Sequence, residues 1–443
     1  MGLIRFSFKH NSTIRNWLQN RNQFWFSVII GTTAFLLYTC VYAFRKAFSV
    51  ATFDGLSYWH IDYKVWLVTF QVMGYALSKF VGIKIISELK STDRAGGILT
   101  MVGIAGLSWF FFALVPAPYN IIFLFTNGLP LGMVWGMIFS YLEGRKCTEA
   151  LGAGLSVSFI FASGFSKSIG GFLMKYWDVS ELWMPFTTAI IFAIPLVFFA
   201  WLLDQTPPPS EDDERSRTKR RPMNKADRQL FVSMFLPGIV LFVLTYMLLT
   251  AFRDFRDNFS AEIWQSLGFG NNPEIFTLTE IPVSIGVLAL MGSIMLIKNN
   301  ATALVVNHII IIAGLILIGV STYLFEGHYL NAPSWMILVG LGLYMGYVPF
   351  NSIFFERLIA TFKFRGTVGF IMYVADAFGY LASVGVLFFK EFGYANMDWL
   401  DFFVKGGYYT CLIGVTLISA SMVYFMQKQS RFNAEGQPDM AMT

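Results

Sequence analysis

Two adjacent cations lie inside a long apolar run near the N-terminus. The run "FLLYTCVYAFRKAFSVATF", Phe35 to Phe53, is typical of a membrane-spanning helix, yet it carries Arg45 and Lys46 side by side. Insertion scales put the cost of a cation at the helix centre at about 2.5–3.5 kcal/mol. An anion in a water-filled cavity, a salt bridge to another helix or a position near the membrane surface would offset that cost.

Arg45 and Arg253 are the main candidates for binding an anion. Arginine has a planar fork of donors that suits phosphate or carboxylate, and it stays charged at physiological pH. We predict that both bind substrate; the alternative is a structural ion pair with Glu280 or Asp376. The other predicted substrate ligands also lie in apolar runs and are Lys79, Lys167, Tyr42, Tyr75, Tyr38 and Tyr246.

Two carboxylates lie inside apolar runs, Glu280 in "FTLTEIPVS" and Asp376 in "MYVADAFGY". One hypothesis makes them counter-charges that hold Arg253 or Lys167 when substrate is absent. The other makes them carriers of a coupling proton. Burial raises a carboxyl pKa and a nearby cation lowers it, so the sequence leaves both roles open.

The remaining charges near these arginines have simpler expected roles. Lys46 points about 100° away from Arg45 on a helix, so we expect it to pair within the protein. Asp254, Arg256 and Asp257 follow Arg253 closely. They are expected to form a solvated rim at the outer end of their helix.

The composition is that of a membrane protein. Of 443 residues, 56% are hydrophobic and 13% are charged, against about a quarter charged in soluble domains, and the mean hydropathy is +0.58. The apolar runs are much longer than the ~10-residue strands of a barrel, so the spans are helices. The cysteines and histidines do not cluster, and no nucleotide or nucleophile motif is found. We therefore expect no metal, no cofactor and no enzymatic activity.

About twelve helices are long enough to span a bilayer. Basic residues concentrate in alternate connections, among them "EGRKC" and "RSRTKRR", which predicts that both termini and the central loop are cytoplasmic. The predicted spans are 23–50, 63–89, 96–116, 120–144, 148–176, 182–203, 229–256, 274–298, 302–325, 333–360, 365–390 and 399–427.

The two halves of the chain resemble each other across a charged linker at 204–228. "YTCVYAFR" matches "YMLLTAFR" at an offset of 208 residues, and Gly132 and Gly152 match Gly346 and Gly366 at an offset of 214. This indicates a six-helix bundle at 1–203 and another at 229–443. An all-α membrane protein built from two pseudo-twofold related six-helix bundles has the major facilitator fold, with its site at the membrane midplane. We expect Arg45 and Arg253 to be symmetry mates.

Several motifs resemble the organophosphate:phosphate antiporter family, which includes the glycerol-3-phosphate and hexose-phosphate transporters. "YAFRKAFSVATF" is similar to its Tyr-x-x-Arg-Lys-x-Phe signature, and "GYALSKFVG" is similar to a segment that carries Lys79. "FRDFRDNFS" places Arg253 at the family's second substrate arginine, and "KSIGG" puts Lys167 where the glycerol-3-phosphate transporter has histidine. The loop "GIKIISELKSTDR" departs from the family in its spacing.

The resemblance implies a secondary active transporter that exchanges a small organic anion, a phosphate ester, for inorganic phosphate by alternating access. It also implies a monomer in the bacterial inner membrane, with the solute and the lipid bilayer as partners and no nucleic acid. Two alternatives stay open: a proton-coupled symporter of an organic anion, and a non-transporting membrane sensor that uses the same pocket.

Overall fold

The computed structural model describes residues 11–88, 91–145, 147–209, 225–362, 369–394 and 397–434, together with Phe8, Asp213 and Phe364. Within these residues the protein has fifteen helices and one antiparallel hairpin, Ser57–Tyr58 (β1) with Ile61–Asp62 (β2). The helices are Ser12–Gln19 (α1), Gln23–Lys46 (α2), Tyr63–Glu88 (α3), Arg94–Leu114 (α4), Ile122–Leu142 (α5), Thr148–Trp177 (α6), Met184–Asp204 (α7), Lys225–Asn258 (α8), Ser260–Ser266 (α9), Ile275–Met295 (α10), Asn300–Glu326 (α11), Ala332–Ser352 (α12), Phe354–Thr361 (α13), Gly369–Gly393 (α14) and Trp399–Ala434 (α15).

Twelve of the helices described here have 21 residues or more, and each corresponds to one predicted span. Within the part of the chain that the structure describes, ten helices are long and apolar enough to cross a membrane, judged by length and composition. Several boundaries differ from the prediction, among them the end of the last helix, which is at Ala434 instead of 427. The seventh long helix begins at Lys225, and the tenth predicted span is divided at Ile353 into α12 and α13.

The chain divides into two compact units. Unit 1 comprises Met1–Arg217, Arg256–Ser284 and Leu387–Leu400, and unit 2 comprises Thr218–Phe255, Ile285–Val386 and Asp401–Thr443. The division into 1–203, 204–228 and 229–443 stays a prediction. Residues 210–212 and 214–224 of the linker, together with Gly366, lie outside the described residues.

Glycines let neighbouring helices approach closely in each unit. A Cβ atom on Gly128 of α5 would lie 2.2 Å from the Gln71 carbonyl oxygen of α3, and one on Gly342 of α12 would lie 2.4 Å from the Gly314 carbonyl oxygen of α11. Any side chain at these positions would push the helices apart. Gly128 and Gly342 are separated by the same 214 residues as the glycine repeat in the sequence.

Candidate anion-binding site

Arg45 lies in a cluster of aromatic and basic side chains within unit 1, the Arg45–tyrosine cluster. Arg45 is only 8% exposed, and its guanidinium carbon lies 3.8 Å from the ring centroid of Tyr75 and 5.8 Å from that of Tyr42. Lys79 Nζ lies 5.1 Å from the Tyr75 centroid, and the Tyr38 ring lies 5.8 Å from that of Tyr42. The structure thus brings five of the eight predicted ligands together.

A polar network holds the end of α2, where Arg45 is located. The helix changes from α to 3-10 geometry after Lys46, a change that leaves carbonyl groups in need of other donors. Gln71 Nε2 donates to the Arg45 carbonyl at 2.9 Å and to Asn127 Oδ1 at 2.9 Å. Asn127 Nδ2 and Trp109 Nε1 donate to the Phe44 carbonyl at 3.0 and 2.6 Å. Side chains from α3, α4 and α5 therefore fix the turn that carries Arg45.

Unit 2 contains a second cluster of the same type, the Arg253–tyrosine cluster. The Arg253 guanidinium carbon lies 4.1 Å from the Tyr347 ring centroid. The rings of Tyr347 and Tyr246 stack at 5.3 Å, and the Tyr246 hydroxyl donates to Asp376 Oδ1 at 2.6 Å. Both predicted unit 2 ligands, Arg253 and Tyr246, thus lie together, and Asp376 contacts the tyrosine.

Asp254 is the carboxylate partner of Arg253. Arg253 Nη2 lies 2.6 Å from Asp254 Oδ1, and Ser383 Oγ donates to Asp254 Oδ2 at 2.9 Å. Asp254 is 4% exposed. The expectation of a solvated rim is therefore wrong for this residue: its carboxylate has a cation and a hydroxyl to compensate its burial.

Lys46 and Lys167 share one carboxylate in unit 1, and we call this group the Asp257 cluster. Lys46 Nζ lies 2.8 Å from Asp257 Oδ2, and Lys167 Nζ lies 2.6 Å from Asp257 Oδ1. Ser163 Oγ also donates to Asp257, and Lys46 Nζ donates to Asn258 Oδ1 at 2.6 Å. The expected internal pairing of Lys46 is found. Lys167 was predicted to bind substrate, and in the structure it is bonded to the same carboxylate as Lys46. The two ammonium groups and the Asp257 carboxylate together carry a net charge of one positive unit.

Glu280 is bonded to a different cation from those expected. Arg256 Nη1 donates to Glu280 Oε1 at 2.7 Å, whereas the sequence suggested Arg253 or Lys167 as partner. Arg256 and Asp257 are 4% and 7% exposed, so the prediction of a solvated rim is wrong here too. Both side chains are buried because each finds an opposite charge within the unit.

A further buried ion pair joins α3 to the short helix α9. Lys64 Nζ lies 2.5 Å from Glu262 Oε1 and donates to the Ser49 carbonyl at 2.9 Å. Burial raises the pKa of Glu262 to about 7, although Lys64 opposes this shift. Glu262 Oε2 is buried and accepts no hydrogen bond from any described residue. Glu262 is thus a carboxyl outside the spanning helices whose pKa burial raises toward neutral pH.

Sequence reasoning missed the residues that position the arginines. Gln71, Asn127 and Ser383 are uncharged side chains on long helices, whereas Glu280 and Asp376 were selected for their charge. Tyr347 was missed because it lies far from Arg253 along the sequence. The rim residues were misassigned because their spacing along one helix does not reveal which neighbouring helices carry counter-charges.

The two arginine–tyrosine clusters have the chemistry of oxyanion recognition. Stacking on a ring engages the flat face of a guanidinium, whereas its five N–H donors lie in the plane of the group. A tyrosine hydroxyl is a donor of the type that suits the oxygens of a phosphate or carboxylate. In the Arg253–tyrosine cluster the Tyr246 hydroxyl already donates to Asp376. The arrangement therefore fits an anion with several oxygens.

Comparison with solved structures identifies the fold. The chain is similar to a D-xylose–proton symporter, with 15% identity, a TM-score of 0.60 and coverage of 90% of this chain and 96% of that chain. A bacterial homologue of the human drug peptide transporters PepT1 and PepT2 gives 12% identity, a TM-score of 0.60 and coverage of 91% and 99%. The nucleoside transporter NupG gives 14% identity, a TM-score of 0.58 and coverage of 90% of this chain and 98% of that chain. The protein has the major facilitator fold and is an integral membrane protein.

The family assignment comes from a sequence model. The model of DUF5690, described as a family of unknown function, matches residues 47–428, and the chain belongs to this family. No curated protein matches the chain. The matched region includes both arginine–tyrosine clusters except for Arg45, Tyr42 and Tyr38, which precede it.

Proposed function

We propose that this protein is a secondary transporter that moves a small organic anion, a phosphate ester, across the membrane in exchange for inorganic phosphate. Alternating access of the major facilitator type is the mechanism, and the organophosphate:phosphate antiporters are the nearest functional model. The proposal includes a monomer in a bacterial inner membrane with cytoplasmic termini. Arg45 and Arg253 are the principal ligands, and Lys79, Tyr42, Tyr75, Tyr38 and Tyr246 support them.

One observation carries the proposal. Two arginines, 208 residues apart in a chain with internal repeats, each lie on a spanning helix with the guanidinium stacked on a tyrosine ring, at 3.8 Å for Arg45 and 4.1 Å for Arg253. Repetition of the same unusual environment in both units supports one shared role for the arginines. The two environments differ in one respect: Arg253 also donates to Asp254 Oδ1 through Nε at 3.1 Å and Nη2 at 2.6 Å, so an anion at Arg253 has to compete with that carboxylate.

Exchange in proteoliposomes tests the proposal. We expect labelled phosphate to leave the vesicles only when phosphate or a phosphate ester is present outside. Arg45→Lys and Arg253→Lys keep the charge and lose the fork, and each is expected to lower exchange about tenfold or more, since a hydrogen bond to a charged group is worth about 1.5–3 kcal/mol. The matched control is Arg21→Lys, whose guanidinium stacks on Trp17 near the N-terminus. Near-normal exchange in both cluster variants would overturn the proposal.

Proton-coupled symport of an organic anion is a second candidate. The observation that favours it is the buried carboxyl of Glu262, whose pKa of about 7 lets it gain and lose a proton near neutral pH. Glu280 and Asp376 are the other candidate carriers. One of the similar structures is named as a proton symporter, which keeps this mode open for the fold.

The same vesicles separate the candidate functions. Uptake that requires internal anion and ignores a pH gradient supports exchange. Uptake that requires a pH gradient, and is lost in Glu262→Gln, supports symport. Saturable anion binding without flux supports the sensor, since the same pocket would then serve only for detection.

A further inference from the structure

A polar cavity of about 510 Å³ lies in unit 1, at the helix ends on the side of the N-terminal helix α1. It is lined by Arg15 of α1, Arg94 at the start of α4, Arg145 after α5, and the stretch 207–209 that follows α7. We call it the arginine pocket. Its volume is in the range of pockets that hold small molecules.

The three arginines of the pocket have donors that no described residue of the protein uses. The Nε atoms of Arg15, Arg94 and Arg145 are buried, and none of them donates to any atom of the described residues. Arg145 donates through Nη2 to the Pro207 carbonyl, and Arg94 stacks on Tyr141 at 5.3 Å. A buried charged donor without a partner is costly, so an acceptor from outside the fold would be stabilising here.

The pocket also contains an unused acceptor. Tyr141 donates to Asp204 Oδ1 at 2.8 Å, whereas Asp204 Oδ2 is buried and receives no hydrogen bond from the residues the structure describes. Guanidinium donors beside a lone carboxylate oxygen match a ligand that has anionic oxygens and a hydroxyl. A phosphate ester of a polyol has both.

The pocket is built from elements that hold one another in place. The Asn11 backbone N–H, at the start of α1, donates to Gln205 Oε1 at 2.8 Å, which ties α1 to the end of α7. Glu143 lines the pocket but is exposed, and Asp213 of the linker interacts electrostatically with Arg145. Asp213 is therefore the natural competitor of an incoming anion.

We propose that the arginine pocket is a second binding site, for the phosphate group of a hydroxyl-bearing phosphate ester, distinct from the arginine–tyrosine clusters. The phosphate accepts from the guanidinium groups of Arg15, Arg94 and Arg145, and a ligand hydroxyl donates to Asp204 Oδ2. Two sources offer this chemistry, a soluble polyol phosphate and the headgroup of phosphatidylglycerol. The site does not depend on transport through the membrane.

Binding of labelled glycerol 3-phosphate to the purified full-length protein tests this site. The background variant is Arg45→Gln/Arg253→Gln, which removes the proposed transport ligands, so any remaining saturable binding belongs to the pocket. In that background Arg15→Gln is expected to weaken binding about tenfold or more, since it removes a charged donor. Arg21→Gln, two residues after the end of α1 and outside the pocket lining, is the matched control and should leave binding unchanged. Asp213→Asn should strengthen binding, because it removes the competitor.

Phosphatidylcholine nanodiscs with and without phosphatidylglycerol identify the source. If phosphatidylglycerol displaces labelled glycerol 3-phosphate, and Arg15→Gln removes the displacement, the headgroup occupies the pocket. If glycerol 3-phosphate binds and phosphatidylglycerol does not displace it, the ligand is soluble. The proposal is overturned if neither binds in the Arg45→Gln/Arg253→Gln background, or if Arg15→Gln and Arg21→Gln behave alike. If the unmodified protein shows no phosphate exchange but still binds glycerol 3-phosphate in a manner that depends on Arg15, the proposed transport function fails and this site stands.

Discussion

Asp257 compensates two buried lysines of unit 1 with a single carboxylate. It accepts from Lys46 at 2.8 Å, from Lys167 at 2.6 Å and from Ser163. Removing one member of a buried ion pair is costly because the partner stays buried without compensation. Two ammonium groups depend on this carboxylate, whereas the carboxylate loses only one of two partners when either lysine is replaced.

Asp257→Asn is therefore expected to destabilise the protein far more than Lys167→Met. Loss of the carboxylate should cost about 3–5 kcal/mol, the range for breaking a buried pair, whereas Lys167→Met leaves a one-to-one pair between Lys46 and Asp257. Thermal unfolding in detergent measures the difference. Lys175→Met is the control on the same helix as Lys167, because its ammonium group is exposed and donates to a backbone carbonyl, that of Asn271, instead of a carboxylate. Equal losses for the Asp257 and Lys167 variants would contradict this account.

At the scale of elements, the end of α2 depends on side chains from three other helices. Asn127 is central to this arrangement, because its amide donates to the Phe44 and Ala105 carbonyls and accepts from Gln71. The amide is fully buried. A change here acts on the placement of Arg45 without touching the guanidinium.

Asn127→Leu keeps the approximate size of the side chain and removes its hydrogen bonds. Buried groups left unsatisfied cost about 1–3 kcal/mol each, so we expect a lower midpoint of thermal unfolding together with weaker anion binding. The control is Thr279→Val, a buried position whose hydroxyl donates to the Ile275 carbonyl of its own helix at 2.7 Å. If anion affinity stays unchanged in Asn127→Leu, the network does not position Arg45.

The short helix α9 gives the protein a pH dependence. Burial raises the pKa of Glu262 to about 7, above its ordinary value of 4.5. The folded state then binds a proton that the unfolded state has released between these values. The contribution to stability is complete below pH 4.5 and is lost as the pH rises through 7.

We therefore expect the midpoint of thermal unfolding of the unmodified protein to fall, relative to Glu262→Gln, between pH 5 and pH 8. The glutamine stays neutral and has no such transition. Glu274→Gln, an exposed position near the start of α10, serves as the control and should follow the unmodified protein. Parallel pH profiles for the unmodified protein and Glu262→Gln would show that the carboxyl does not titrate in this range.

At the scale of the whole molecule, the distribution of basic residues predicts the orientation in the membrane. Lys and Arg concentrate in the connections that include the linker 204–228, whereas "EGHYLNAPS" between α11 and α12 has none. With an even number of spans, both termini are then expected on the cytoplasmic side.

Reporter fusions check this orientation. Green fluorescent protein at the C-terminus is expected to fluoresce, and alkaline phosphatase is expected to be active in the connection 327–331 and inactive in the linker 204–228. The active fusion at 327–331 is the control that shows the phosphatase can fold in this protein when it lies outside the cytoplasm. Active phosphatase in the linker would reverse the predicted topology.

The fold was predictable from the sequence to a large extent, because apolar runs of more than 20 residues and a repeated motif directly specify helices and their symmetry. The pairing of charges was not predictable to the same extent. Arg256 and Asp257 follow Arg253 on one helix, and only the approach of α10 and α6 reveals Glu280 and Lys167 as their partners. The hydrogen bonds of Asn127 were likewise not predictable, because they join α5 to the end of α2, more than 80 residues earlier in the chain.

The surplus positive charge of the Asp257 cluster also has a consequence for energetics in a cell. Two ammonium groups and one carboxylate sum to one positive charge at a buried location. A conformational change that moves this cluster through the full transmembrane field exchanges about 2.3 kcal/mol with a potential of 100 mV. The membrane voltage would then bias the resting conformation of the protein even before any solute arrives.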